Sequence, residues 1–153
     1  MENRVHIIES GNEDIYNDPL VTKPEFKAGS IEKPLHTDNR GSIERKNYEG
    51  TKFNIITTKS GHMRSGDLHK NTQFDIIFSG KIELWTLQNG TTEKRICGPN
   101  ELIVIGANTP HLFYFLEDTV MAEWWNGEFE AWFYRPYRDK IEENFKNVSD
   151  QPI

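Results

Sequence analysis

From Thr51 onward, turn residues cut the chain into short apolar runs: FNIITT, QFDIIFSG, KIELWTL, ELIVIG, HLFYFL, VMAEWW and EFEAWFY, parted by Gly, Asn, Pro and Asp. Each run is too short for an ordinary helix and rich in the β-branched and aromatic residues that suit a pleated, half-buried surface. Seven of them at close spacing predict an all-β sandwich or barrel. Asn89-Gly90 stands between KIELWTL and the polar run TTEKRI, and predicts a tight hairpin because both residue types tolerate positive φ. Asn126-Gly127 predicts another, between VMAEWW and EFEAWFY. After Pro136, Tyr137, Ile141 and Phe145 recur every four residues among charged ones, which predicts a short amphipathic helix closing the fold. Residues 1–35 read as an extended lead-in with edge strands, 36–135 as the barrel and 136–153 as the C-terminal helix and tail, one domain overall.

At 153 residues the chain has the length of one domain with a single core. Its 18 Lys and Arg against 24 Asp and Glu leave a net charge of −6, which argues against nucleic acid and anionic membranes as partners. The polar N-terminus and the lack of a membrane-length apolar run predict a cytoplasmic protein. Cys97 is the single cysteine, so any metal must be held by His and carboxylate, and with no reactive cluster around it the thiol reads as inert. QFDIIFSG is apolar on both faces, Phe74, Ile76 and Phe78 on one and Ile77 on the other. Such a strand needs cover on both sides; a second sheet supplies one, and a partner subunit or the terminal segments the other, which predicts a homodimer.

The chemistry-bearing residues fall in two clusters. The first is the stretch from Gly61 to Gln73, GHMRSGDLHKNTQ, where Asp67 and His69 lie two apart and share a strand face. The second, VIGANTPH, ends at His111, which opens the next strand. Both segments resemble the cupin superfamily, whose first motif contains H-x-H, a Glu and, six residues on, a Gly, and whose second is P-x-G-x-x-H. Asp67-x-His69, Gln73 and Gly80 fall on the first, and Gly106-x-Asn108-x-x-His111 on the second. The chain departs from the pattern where Asp67 replaces the first His, Gln73 the Glu, and Gly106 and Asn108 the Pro and Gly. The resemblance implies a cupin-type double-stranded β-helix, a jelly-roll barrel.

Within cupins the chain is similar to the sugar-nucleotide branch, the dTDP-sugar 3,4-ketoisomerases and the dTDP-4-dehydrorhamnose 3,5-epimerases. The residues that carry this are Asp38-Asn39-Arg40-Gly41-Ser42-Ile43, Arg64-Ser65-Gly66-Asp67-Leu68-His69-Lys70 with Gln73, Ile105-Gly106 with His111, and Glu117-Asp118-Thr119-Val120. That resemblance implies proton transfer beside the ketone of a nucleotide-linked keto-sugar, with no cofactor. His69 and Asp67 would be the proton-transfer groups, Tyr114 a donor to the developing enolate, and Arg64 a grip on pyrophosphate, with Lys70, Gln73 and His111 completing the substrate site.

The same residues support a second reading. Asp67, His69 and His111 form a two-His, one-carboxylate set able to hold a divalent metal such as Fe, Mn, Ni or Zn with positions left open, as in oxygenases, and Gln73 could complete the shell. A third reading is a non-catalytic cupin that binds a small molecule. The structural alternatives are plain: His69 and His111 as hydrogen-bonded strand-end residues, Arg64 and Arg40 in ion pairs, and Trp124, Trp125, Trp132, Phe133, Tyr134 and Tyr137 as core and interface. His62 reads as a loop residue, and His6 and His36 carry no assigned role.

Overall fold

Alternation of inward and outward side chains organises the whole molecule, a computed structural model that describes residues 4–25 and 33–149. In chain order the strands are β1 (Val5–Ile8), β2 (Val21–Thr22), β3 (Leu35–Asp38), β4 (Gly41–Tyr48), β5 (Thr51–Thr58), β6 (Met63–Leu68) and β7 (Gln73–Ser79). They continue with β8 (Ile82–Gln88), β9 (Thr91–Cys97), β10 (Leu102–Ile105), β11 (His111–Phe115), β12 (Thr119–Trp125) and β13 (Trp132–Tyr134), before the helix α1 (Arg135–Ser149). One sheet runs β1-β10-β7-β12-β5-β4-β3 and the other β2-β13-β6-β11-β8-β9. Among the described residues only β1 pairs in parallel, with β10. This is the all-β jelly roll with a C-terminal helix that the sequence predicts; the tail beyond Ser149 lies outside the described residues. The lead-in supplies an edge strand to each sheet, β1 to the first and β2 to the second.

The two inner faces meet in a core of Ile8, Ile56, Ile77, Ile82, Leu84, Cys97, Ile103, Ile105, Phe113, Phe115 and Met121. Burial pushes the Cys97 thiol up to about 12, so it stays protonated inside that core. Helix α1 covers the outside of the second sheet, where Tyr137 and Ile141 bury against Leu112. The outer face of the first sheet stays apolar across four strands, in two cross-strand rows: Val5–Leu102–Ile76–Ala122 and Ile7–Val104–Phe74–Trp124. Val5 and Ile7 are exposed, and Phe74 stacks on Trp124 with ring centroids 5.6 Å apart.

Turn chemistry explains where the chain reverses and where it does not. Asn89 and Gly90 both have positive φ, 50° and 79°, and close the β8–β9 hairpin. Asn126-Gly127 closes no hairpin, which corrects the expectation: neither residue has positive φ, and the segment carries the chain from β12 in one sheet to β13 in the other. Of EFEAWFY, only Trp132–Tyr134 is strand. A two-residue turn cannot make that change of sheet; instead Asn126 is fastened to the β6–β7 loop, its Oδ1 accepting from the Thr72 amide at 3.0 Å.

Candidate metal centre

Strand β6 builds the site by breaking its own alternation. Arg64 pairs with Phe113 and faces the barrel interior, whereas Ser65 pairs with Leu112 on the side of α1. The next residue out of register is Gly66, after which Asp67 pairs with His111 and faces inward again. Ser65 and Gly66 sit at φ 85° and 68°, the left-handed geometry of a bulge. A Cβ on Gly66 would lie 2.7 Å from Ile141 Cδ1 and 2.8 Å from Arg138 Cδ, so only glycine lets α1 pack this close.

The bulge brings Asp67 to the two histidines. Asp67 Oδ1 lies 3.3 Å from His111 Nε2 and 3.6 Å from His69 Nε2, and one potential ligand atom from each residue falls within 4.8 Å of the others. His69 Nδ1 is 2.8 Å from the Glu130 carbonyl, and His111 Nδ1 is 2.9 Å from the Thr109 carbonyl. A carbonyl only accepts, so each ring donates from Nδ1 and turns its Nε2 toward Asp67. His69 Nε2 is buried and has no hydrogen-bond partner. His69 and His111 are 3% and 1% exposed.

Burial pulls His111 down to about 4 even though Asp67 opposes the shift, so its imidazole is neutral at pH 7. For Asp67, burial favours the protonated form, but His69, His111, the Ser65 hydroxyl and Arg138 together outweigh it and hold the carboxyl below its ordinary range.

Gln73 adds an amide oxygen to the cluster. Its Oε1 is 3.1 Å from His111 Nε2, while its Nε2 donates to Asp75 Oδ2 at 2.9 Å and Glu123 Oε2 at 3.1 Å. Burial, then the acid beside it, raises the Asp75 carboxyl well above its ordinary range, and burial likewise raises Glu123. Asp75 and Glu123 are functional-site residues that the sequence reading missed. The available signal was Asp75 two positions after Gln73 on the same strand face, and an acid inside the apolar run VMAEWW.

The loop between β12 and β13 closes over the cluster. Glu130 anchors His69 through its carbonyl, and Trp125 and Phe129 pack on the His69 ring at centroid distances of 5.3 and 5.5 Å. Asn71 fastens the loop from below by donating to the Glu128 carbonyl at 2.7 Å.

The remaining site expectations are not brought to this cluster. Tyr114 is corrected from a donor in the site to a packing residue: it lies on the opposite face of β11 from His111, against Leu112, Tyr137 and Ile141. Arg64 is corrected from a phosphate grip at the barrel mouth to a buried residue, 6% exposed, whose Nε donates to Thr58 Oγ1 at 2.8 Å. Thr58 pairs with Thr119 at the start of β12, whereas His69 packs on Trp125 at its end. Burial and the nearby Arg40 lower Arg64 to about 10. Lys70 is exposed on the outside, its ammonium 4.9 Å from the Trp132 ring centre and 5.2 Å from that of Tyr16. Arg40 pairs with Asp38 at 2.7 Å and lines a 220 Å³ cavity under α1 with Arg138, Ile141, Glu142 and Phe145.

The two Asp67–His separations suit a divalent cation. Ligand atoms held about 2.0 to 2.1 Å from one ion lie about 3.4 Å apart in tetrahedral geometry, close to the two Asp67–His separations. Carbonyl acceptors on Nδ1 are the partners that fix ligating imidazoles.

No known family description and no curated protein sequence matches the chain. Solved structures do. The capsular polysaccharide assembling protein CapF of Staphylococcus aureus is similar with a TM-score of 0.55 and 19% identity, over 65% of this chain and 33% of that one. A mutant of the Bacillus subtilis oxalate decarboxylase OxdC is similar with a TM-score of 0.59 and 16% identity, over 77% of this chain and 36% of that one. Another structure of the same decarboxylase, concerned with its Mn(II) centres, gives a TM-score of 0.57 at 16% identity, over 77% and 37% of the two chains. The chain therefore shares the jelly-roll fold of these proteins over most of its length. It spans about a third of the length of these solved chains.

Proposed function

We propose that this chain is a metal-dependent cupin in which His69 Nε2, His111 Nε2 and the Asp67 carboxylate hold one divalent cation. The observation that carries this reading is the pair of Nδ1–carbonyl contacts, which leave both Nε2 atoms facing the Asp67 carboxylate. A bound divalent ion supplies a Lewis-acid centre with positions open to a small substrate. The protein's own part is to hold the donors rigidly, keep His111 unprotonated near neutral pH and shelter the centre beneath Trp125 and Phe129. Calorimetric titration of metal-free protein with Mn²⁺ tests this: one site per chain is expected, abolished in His111→Ala. No binding by the wild type contradicts it.

Proton transfer on a nucleotide-linked keto-sugar is the second reading, favoured by the Asp67–His69 and Asp67–His111 contacts, which also suit an acid–base pair. It expects a rise in melting temperature with dTDP and loss of keto-sugar turnover in His69→Ala. The burial of Arg64 and the outward face of Tyr114 remove two of the residues it would use. A third reading, small-molecule binding without catalysis, keeps the same cluster as a recognition site. We also propose a homodimer. The two apolar rows on the outer face of the first sheet reach the exposed edge residues Val5 and Ile7, and a second copy of the chain would cover them. Light scattering should give twice the chain mass, and Ile7→Glu should return it to one.

A further inference from the structure

Gln73 is held by more contacts than a bridging residue between strands needs. Its amide nitrogen faces two carboxyl groups, Asp75 Oδ2 at 2.9 Å and Glu123 Oε2 at 3.1 Å, and its oxygen faces His111 Nε2 at 3.1 Å. As placed, the NH₂ group donates to both carboxyl groups and leaves the amide oxygen for the cluster; turning the amide round would give up both of those bonds, so the two acids decide which end of Gln73 meets the cluster. Asp75 is wholly buried, and burying an acid there is costly unless it does something a neutral residue would not. Both acids sit behind Gln73 and do not contribute to the three-residue set of Asp67, His69 and His111.

We infer that Asp75 and Glu123 are positioning residues: they lock the Gln73 side chain so that its carbonyl oxygen, not its NH₂ group, faces the cation site. This rests on the metal reading above and adds to it the residues that orient a fourth oxygen donor. With the NH₂ group turned inward instead, the site would meet a cation with a hydrogen-bond donor and lose a lone pair. The chemistry that fits a carbonyl, a carboxylate and two imidazoles is a divalent ion that accepts mixed oxygen and nitrogen ligands.

The test uses Co²⁺ as probe, because its visible bands respond to the ligand set. Asp75→Leu/Glu123→Leu removes both acceptors, and its Co²⁺ affinity should fall about 10- to 100-fold with altered bands, the scale seen when partners of metal ligands are lost. Glu123→Gln keeps an acceptor oxygen and should restore wild-type affinity and bands. If the double variant does not fold, Glu123→Leu alone carries the test with a smaller loss. Wild-type affinity and bands in a folded Leu variant would overturn the inference.

A metal-free readout separates this inference from the reading beneath it. In the ¹H–¹⁵N spectrum of the metal-free wild type, the Gln73 side-chain amide protons should be protected from exchange, and the Leu variants should lose that protection. Protected protons in a protein that takes up no Co²⁺ would overturn the cation site while leaving the lock in place. Unprotected protons in the wild type would overturn the lock itself.

Discussion

The two ends of the barrel interior are built from the same strands, yet they differ in kind. Along β7 the inward positions run Gln73, Asp75, then Ile77; along β11, His111, then Phe113 and Phe115. Along β8, read backward, Thr86 gives way to Leu84 and Ile82, and along β12 Glu123 gives way to Met121. Two neighbouring strands in each sheet therefore switch from polar to apolar along their inward faces. The apolar end supplies burial energy, while the polar end places carboxyl groups and imidazoles where water cannot compensate them. One end makes the barrel stable, and the other spends part of that stability on a site.

The contrast can be broken from either side. Phe115 is fully buried at the apolar end, and Phe115→Ala should lower unfolding free energy by about 3 to 5 kcal/mol in urea while leaving cation affinity unchanged. Loss of binding without loss of stability would reverse the assignment of the two ends. At the polar end, His111 sits at about 4 in the folded protein against an ordinary 6.5. A depressed histidine contributes stability that is present above 6.5 and lost as pH falls toward 4, because the unfolded chain binds a proton that the native state refuses. Metal-free wild type should therefore lose about 3 kcal/mol more than His111→Gln between pH 7 and 4. Equal pH slopes would show that His111 is not held neutral.

Gly66→Ala sharpens the comparison with a smaller effect. It sets a Cβ against Ile141 and Arg138 at φ 68°, so a cost of about 1 to 3 kcal/mol is expected. Because the bulge also turns Asp67 inward, Mn²⁺ affinity should fall with it. A variant that loses stability but keeps its affinity would separate the bulge from the site.

Much of this architecture was legible from residue order. The short β-branched and aromatic runs pointed to an all-β sandwich or barrel, the cupin-like motifs to the jelly roll, Asn89-Gly90 to its hairpin, and the four-residue spacing of Tyr137, Ile141 and Phe145 to α1. Two features misled. Asn126-Gly127 carries a turn signature, but its strands belong to different sheets, a tertiary fact that no dipeptide encodes. Tyr114 was chosen by its chemistry, although three residues from His111 along a strand is the opposite face. Two others left too faint a trace. Glu49-Gly50, at φ 52° and 88°, closes the β4–β5 hairpin with a residue that rarely marks one. Asp75 and Glu123 went unread because acids inside apolar strands face water far more often than the core.

Metal content of the protein purified without a His tag or chelator, measured by mass spectrometry, tests the central assignment most directly. One divalent metal per chain is expected, falling to background in both His69→Ala and His111→Ala while those variants stay folded. A wild-type protein without metal that also takes none up from Mn²⁺, Fe²⁺, Ni²⁺ or Zn²⁺, or a metal content that both variants retain, would contradict it.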